Sequence, residues 1–381
     1  MPESTGKRER SSSSRRERGM YCSSRRRARP GRRLKLLHAL ASALALAVLP
    51  GCTTGQYLAQ AGCGQIDIML RARDLEAAMR DPKVPARTGE LLGLVPAIKK
   101  FGEENSLRPT GNYHTYVDLE RPAVVWVVTA SEPLRFRPKT WWFPIVGRVP
   151  YLGWFDRGEA QDFAAGLREQ GWDADIGASE AYSTLGWFDD PVLSTMLSDG
   201  DEAVGELVNV VLHESVHATL YVDGQTRFNE SLAEFAAGKL TVTYLDGHYG
   251  PDSGEKRAYI DAEERGEARH AQMHRAYEKL ARLYASHLAD AQKLAVKRRL
   301  LVALRAETRF RRPINNATLA AFKNYNSGAP QLDALLDACG WSFARFFRAL
   351  GAAKKKDAFT EPNQADLAPL IYPLVKAGCP G

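Results

Sequence analysis

Two histidines four residues apart, with a glutamate directly after the first, constrain this chain more than any other feature. They lie in His213-Glu214-Ser215-Val216-His217, an H-E-x-x-H pattern. On a helix, positions i and i+4 share a face, with Cβ atoms about 6 Å apart. Two imidazoles so placed can both reach one Zn²⁺ at about 2.0–2.1 Å. Glu214 is turned about 100° around the helix from His213. It is poorly placed to share the metal but can reach a water on it, which is the position of a general base.

The flanks predict that helix. Val204, Leu207, Val208, Val211, Leu212, Val216 and Leu220 recur at helical spacing, and no Gly or Pro interrupts Glu206 to Val222. Asp223-Gly224 supplies turn chemistry, and Asn229 is a candidate cap for a second helix starting at Glu230. A helix, a short loop and a returning helix bring Glu230 back toward the histidines. A catalytic zinc site takes three protein ligands and one open position; His213, His217 and Glu230 make that set. Glu234, one turn beyond on the same face, is placed to orient a ligand imidazole from behind. The apolar setting argues against a surface helix that merely carries two histidines, because buried His and Glu need partners.

The pair of His213-Glu214-Ser215-Val216-His217 and Asn229-Glu230 resembles the gluzincin metallopeptidases. The chain is also similar to a family of bacterial lipoproteins described as predicted aminopeptidases. The segments that carry this likeness are 141–147, 151–155, Ala181 to Pro191, the zinc motif, Phe228-Asn229-Glu230 and Asn315-Asn316-Ala317, spread over residues 52–350. The resemblance implies a zinc peptidase that removes amino-terminal residues. Twelve residues separate His217 from Glu230, fewer than in the better-known gluzincins, which keeps Glu234 open as the alternative third ligand.

The net charge of +7 is carried by residues 1–51, which hold 13 Lys and Arg against 3 Asp and Glu; the remainder is slightly acidic. No nucleic-acid partner follows from it. Residues 1–33 are rich in Ser and Arg with no apolar period and would not fold. Leu36 to Leu49 is a largely apolar run ending at Leu49-Pro50-Gly51-Cys52, the form of a secretory signal and too short for a comfortable membrane span. Its end resembles a bacterial lipobox, which implies acylation of Cys52, a membrane partner and residence in the cell envelope. Thr53 after the cysteine points to the outer membrane, facing the periplasm. Cys63, Cys339 and Cys379 would remain, too few for a disulfide framework; one bridge, Cys339 to Cys379, is possible in an oxidising envelope.

Residues 64–106 read as helical. Ala123 to Thr129 reads as a strand between prolines, and Leu134-Arg135-Phe136-Arg137 alternates as its partner would. Trp141 to Phe155 reads as an aromatic loop packed by its own rings. Glu159 to Gln170 is a helix closed by Gly171, and Ala174 to Ala178 and Ala181 to Phe188 read as strands. Tyr182 to Gly186 is a candidate edge strand for the substrate backbone, with Gly186 allowing close approach. Glu180, Asp189 and Asp190 are candidates for the substrate's α-ammonium, and Tyr182, Tyr221, Tyr244 and His248 for the developing oxyanion.

Ala262 to Phe310 has a helical period and no Pro, so it forms one very long helix or two stacked ones. His270 and His274 there lack an adjoining Glu and read as a solvated face. Asn315-Asn316 reads as a cap, Leu332 to Leu350 as an amphipathic helix, and residues from Lys354 onward as a less ordered tail. The expected fold is α+β, with a small mixed sheet in the N-terminal half, the zinc helix at the junction and a helical C-terminal half. Residues 1–51 are the signal, 52–250 the α+β core and 251–381 the helical part of the same catalytic unit. The expected activity is zinc-dependent peptide hydrolysis. The alternatives are an envelope endopeptidase or amidase, and an assembly factor with structural zinc.

Overall fold

Strand-forming and helix-forming stretches segregate along the chain in the expected α+β order. The computed structural model describes residues 53–143, 147–181, 189–323, 328–355, 358–361, 364 and 366–379. The chain divides into two units, 1–63 and 64–381. The first contributes, among the described residues, the opening turns of α1 (Thr53–Arg71); Cys52 lies outside the described residues.

The N-terminal half holds three small sheets. β1 (Arg73–Asp74), β2 (Thr115–Val117) and β8 (Val192–Leu193) form one of mixed direction, β1 antiparallel and β8 parallel to β2. In the second, β3 (Val125–Ser131) lies between β6 (Tyr151–Trp154) and β7 (Asp173–Ser179), antiparallel to both. β4 (Trp141–Phe143) and β5 (Gly147–Val149) form a two-stranded hairpin with Trp141 opposite Val149. Short helices connect them: α2 (Leu75–Met79), capped by Asp74, α3 (Ala86–Glu104) and α4 (Arg157–Glu169), capped by Asp156.

From residue 203 onward the described chain is helical: α5 (Ala203–Thr219), α6 (Thr226–Tyr249), α7 (Gly254–Ala285), α8 (Asp290–Thr308), α9 (Asn316–Ala320), α10 (Ala329–Ala338), α11 (Phe343–Lys355) and α12 (Ala368–Ala377). The apolar stripe of α5 (Leu207, Val208, Val211, Leu212 and Val216) is fully buried against Leu232, Ala233, Ala236 and Leu240 of α6. That shared core fixes the two helices side by side. α7 crosses α5 closely: a Cβ at Gly205 would lie 2.5 Å from the Cβ of Tyr259.

Four expectations are corrected. Leu134 to Arg137 makes no strand. The segment turns back on β3 with one isolated antiparallel bridge, Ser131 to Pro138, and the buried Ser131 hydroxyl donates to the carbonyls of Arg135 and Arg137 (3.2 and 3.3 Å). Trp141 to Phe155 contains strands rather than an aromatic loop, and Trp142 and Tyr151 are exposed. The tail folds: α12 buries Leu370 and Ile371, and Cys379 is bonded to Cys339. His270 and His274 are half-buried rather than solvated; the His274 ring lies 2.9 Å from the carbonyl of Phe322. The long C-terminal run resolves into two helices, α7 and α8, with Ser286 as the C-cap of the first.

Candidate metal centre

Helix α5 carries His213, Glu214 and His217 on its last two turns and ends where Leu220 N bonds to the carbonyl of Val216 (2.9 Å). Gly224 takes a positive φ of 73°, which reverses the chain at Asp223-Gly224 at little steric cost. The returning helix starts four residues earlier than expected, at Thr226 with Gln225 at its cap. Asn229 is therefore a buried helical residue and not a cap. Its side chain accepts from Val222 N and donates to Val222 O, both at 2.9 Å. This two-way bond ties the loop to the first turn of α6 and sets where Glu230 points.

Glu230 points at both histidines. Its two carboxylate oxygens lie 3.5 Å from His213 Nε2 and 3.6 Å from His217 Nε2. One donor atom from each of the three residues falls within 4.8 Å of the others. Partial burial pushes the Glu230 carboxyl up, but the bonds and charges of the two imidazoles outweigh it and hold it at about 2. Burial pushes His217 down, and its bond to Glu230, with the charges of Glu230 and Glu214, turns that into a net rise. Two imidazole nitrogens and a carboxylate are a donor set suited to a divalent transition metal. Glu214 Oε2 and His217 Nδ1 are buried with no hydrogen-bond partner in the protein. A buried polar oxygen normally finds a partner, so the Glu214 carboxylate is held ready for a group that comes to it. These residues fit a metal.

Glu234 does not join the donor cluster. That cluster, among the described residues, is His213, His217 and Glu230, and the charge of Glu234 acts on Tyr259, Glu263 and His270. A cavity of about 880 Å³ runs from Glu230 along α6 and α7. Carboxylates of Glu234, Glu263, Glu264 and Glu267 line it beside Phe235 and Trp341. Desolvation, then the neighbouring carboxylates, raise the Glu263 carboxyl.

The other candidates separate cleanly. Tyr221 stays near the centre, its ring centroid 6.1 Å from that of His217. Tyr244 and His248 stack on each other at 3.9 Å, far down α6. At about 1.5 Å per residue they are roughly 21 and 27 Å along the helix from Glu230. Glu180 is coupled to Glu206, about 10 Å before His213 on α5. Asp189 acts on Lys99. Asp190 is buried, and its carbonyl accepts from Tyr113 N at 2.7 Å. Tyr182 and Gly186 lie outside the described residues.

Two residues near the centre were not among the candidates, although Tyr151 lies in one of the segments that carry the family likeness. Tyr113 is buried; desolvation, then Glu214 and Asp190, raise its phenol well above the usual range. Desolvation, Glu230 and Tyr221 raise the phenol of Tyr151, which sits at the start of β6. Tyr151 falls in a segment read as packing, and Tyr113 in a loop with no pattern.

Among curated proteins and solved structures, none matches the chain. A family model matches residues 56–364, and by that match the chain belongs to the family described as Putative aminopeptidase.

Proposed function

We propose that this chain is a zinc-dependent aminopeptidase anchored to the bacterial cell envelope. The convergence of His213, His217 and Glu230 beside the unpartnered Glu214 oxygen carries the proposal. His213 and His217 would hold the ion through their imidazoles and Glu230 through its carboxylate. Zinc bound there would supply a Lewis acid for the scissile carbonyl and make water nucleophilic at neutral pH. Glu214 takes the proton of the attacking water at Oε2 and returns it to the leaving amine. The Tyr151 and Tyr221 phenols stand beside Glu230 and His217. The Tyr151 phenol, raised above its usual value, stays protonated at neutral pH and can donate to an oxyanion. The carboxylate-lined groove that opens from Glu230 supports recognition of a free α-ammonium.

Glu214→Gln is the direct test. It should keep the metal and lose about 10²- to 10⁴-fold in peptide hydrolysis; undiminished hydrolysis would remove the mechanism. Acetylating the substrate's amino terminus should abolish cleavage by an aminopeptidase and leave an endopeptidase or amidase unaffected. For the anchor, Cys52→Ser should release the protein from membranes. No helix among the described residues is long and apolar enough to cross one.

A further inference from the structure

The C-terminal segment is tied to the start of the helix that carries Glu230. Gln225, the cap residue of α6, is buried and spends its whole amide on that segment. Its Nε2 donates to the carbonyl of Glu361 at 2.7 Å, and its Oε1 accepts from Gln364 N at 2.8 Å. Gln364 is itself buried, and its side chain spans Thr360 N (3.1 Å) and the carbonyl of Asp366 (2.9 Å). The backbone it offers to Gln225 is therefore fixed. Phe359 packs edge-on against Phe228, ring centroids 5.0 Å apart. Lys354, on the last turn of α11, donates to the carbonyl of Tyr221. Residues 221–228, the link between His217 and Glu230, are thus held at three points, by Lys354, by Phe359, and by Glu361 with Gln364.

The other end of the segment is fastened separately. Cys379 is disulfide-bonded to Cys339, 40 residues back, and Arg345 donates to the Cys379 carbonyl at 2.9 Å. Glu230 is 57 % exposed, so little of its placement comes from packing of its own side chain. The α5–α6 core sets the helix axis, and the link sets where its first turn, with Glu230, begins.

We propose that the described residues of 358–379 form a strap, stapled by Cys339–Cys379, which positions Glu230 through Gln225 and so sets the affinity of the centre for its metal. Gln225 is a positioning residue in this scheme. The proposal rests on reading His213, His217 and Glu230 as a metal centre. It also makes the centre redox-sensitive. A dithiol that gives two electrons and two protons to the bridge leaves two thiols and becomes a disulfide itself. The strap then loses its covalent fastening and keeps only Arg345 and the buried Leu370 and Ile371 at that end, and the centre weakens in a reducing compartment.

The test uses the full oxidised chain, Cys379→Ser and Gln225→Ala. Zn²⁺ alone, in competition with a chromogenic chelator, gives the Kd; amide exchange is followed in the metal-free protein. Both variants should bind Zn²⁺ about 10- to 100-fold more weakly, the range for lost outer support of a ligand. Exchange across residues 222–230 should quicken while that of residues 207–212 in α5 stays put, which separates lost positioning from general loosening. Gln225→Ala keeps the disulfide, so it decides the matter if Cys379→Ser does not fold. A Zn²⁺ Kd for Gln225→Ala within about twofold of the unaltered chain, well short of that range, would overturn the proposal. If the unaltered chain binds no Zn²⁺, the metal reading fails instead, and unchanged exchange at 222–230 in Gln225→Ala would then overturn the strap on its own.

Discussion

Glu230 makes opposite demands on pH with and without metal. In the metal-free protein its carboxyl is held at about 2 while the His217 imidazole is raised. A lowered acid stabilises above its unfolded value of 4.5 and loses that as pH falls toward 2. A raised histidine stabilises below its unfolded value of 6.5 and loses that as pH climbs through its folded value. The pair therefore stabilises the metal-free fold most between 4.5 and 6.5. Melting temperatures of the metal-free chain and of Glu230→Gln should differ most in that window and converge at alkaline pH. With metal present the order inverts, because bound ions compete with protons for His213 and His217, and loading should improve as pH rises. Glu230→Gln should also lose most bound zinc, whereas Glu234→Gln should keep it; metal analysis of the two variants checks which carboxylate is the ligand. At this scale the sequence was readable where chemistry imposes a spacing. Two imidazoles must be four apart on a helix, so His213 and His217 announce themselves and Glu214 with them. Tyr113 and Tyr151 reach the centre by tertiary folding from separate elements. No local spacing marks them.

Helix α5 is placed by what it touches on both sides, and Gly205 is where that placement is tightest. Alanine there would gain about 1 kcal/mol of helix propensity. Its Cβ would lie 2.5 Å from the Cβ of Tyr259, a backbone-proximal atom that cannot swing away. Overpacking costs about 1–3 kcal/mol, so the clash outweighs the propensity. Gly205→Ala should be destabilised in denaturant titrations and should disturb the bond from Asn209 Nδ2 to the Tyr259 hydroxyl (2.9 Å). An exposed helical glycine with open space around its Cβ position, such as Gly266, should instead gain from the same change. The helices were legible because a 3.6-residue apolar period survives along α5, α7 and α8; Leu332 to Leu350, read as one helix, is broken at Gly340 and Trp341, both at positive φ, into α10 and α11. The β4–β5 pair was not, because its strands are three residues each, too short for an alternating period to stand out, with Trp142 exposed and Phe143 buried. Helix α12 was hidden for a different reason. Its burial depends on the distant Cys339–Cys379 bridge and on α10, neither of which is a local property of residues 354–381.

Over the second unit, the helical half is bolted to the β6–β3–β7 sheet by a buried polar cluster that shares no residue with the metal centre. Lys297 of α8 is 7 % exposed; its ammonium pairs with Asp173 at the start of β7 and donates to the carbonyl of Pro133 at 2.8 Å. Asn316, fully buried, takes the same carboxylate through its backbone N at 2.9 Å and donates to the carbonyl of Glu132 at 2.8 Å. Tyr284 of α7 donates to the Asn316 side chain at 2.7 Å. Beside this cluster, Arg312 grips Asp175 through two bonds of 2.8 and 3.0 Å. Asn315 performs the capping expected of it, accepting from Thr318 N, while Asn316 does the joining. One sequence stretch thus terminates a loop, starts a helix and fastens two layers. Removing one partner of a buried ion pair costs about 3–5 kcal/mol, because the other charge stays behind unpaired. Lys297→Ala should lose stability on that scale, and Asp173→Ala combined with it should lose less than the two separately, a coupling that a double-mutant cycle measures. The cycle also tests whether α7 and α8 unfold with the sheet. If they open as a separate unit, Lys297→Ala should speed amide exchange in α8 and α9 without touching α5 or α6. If the second unit unfolds as one, exchange should rise in all four helices together.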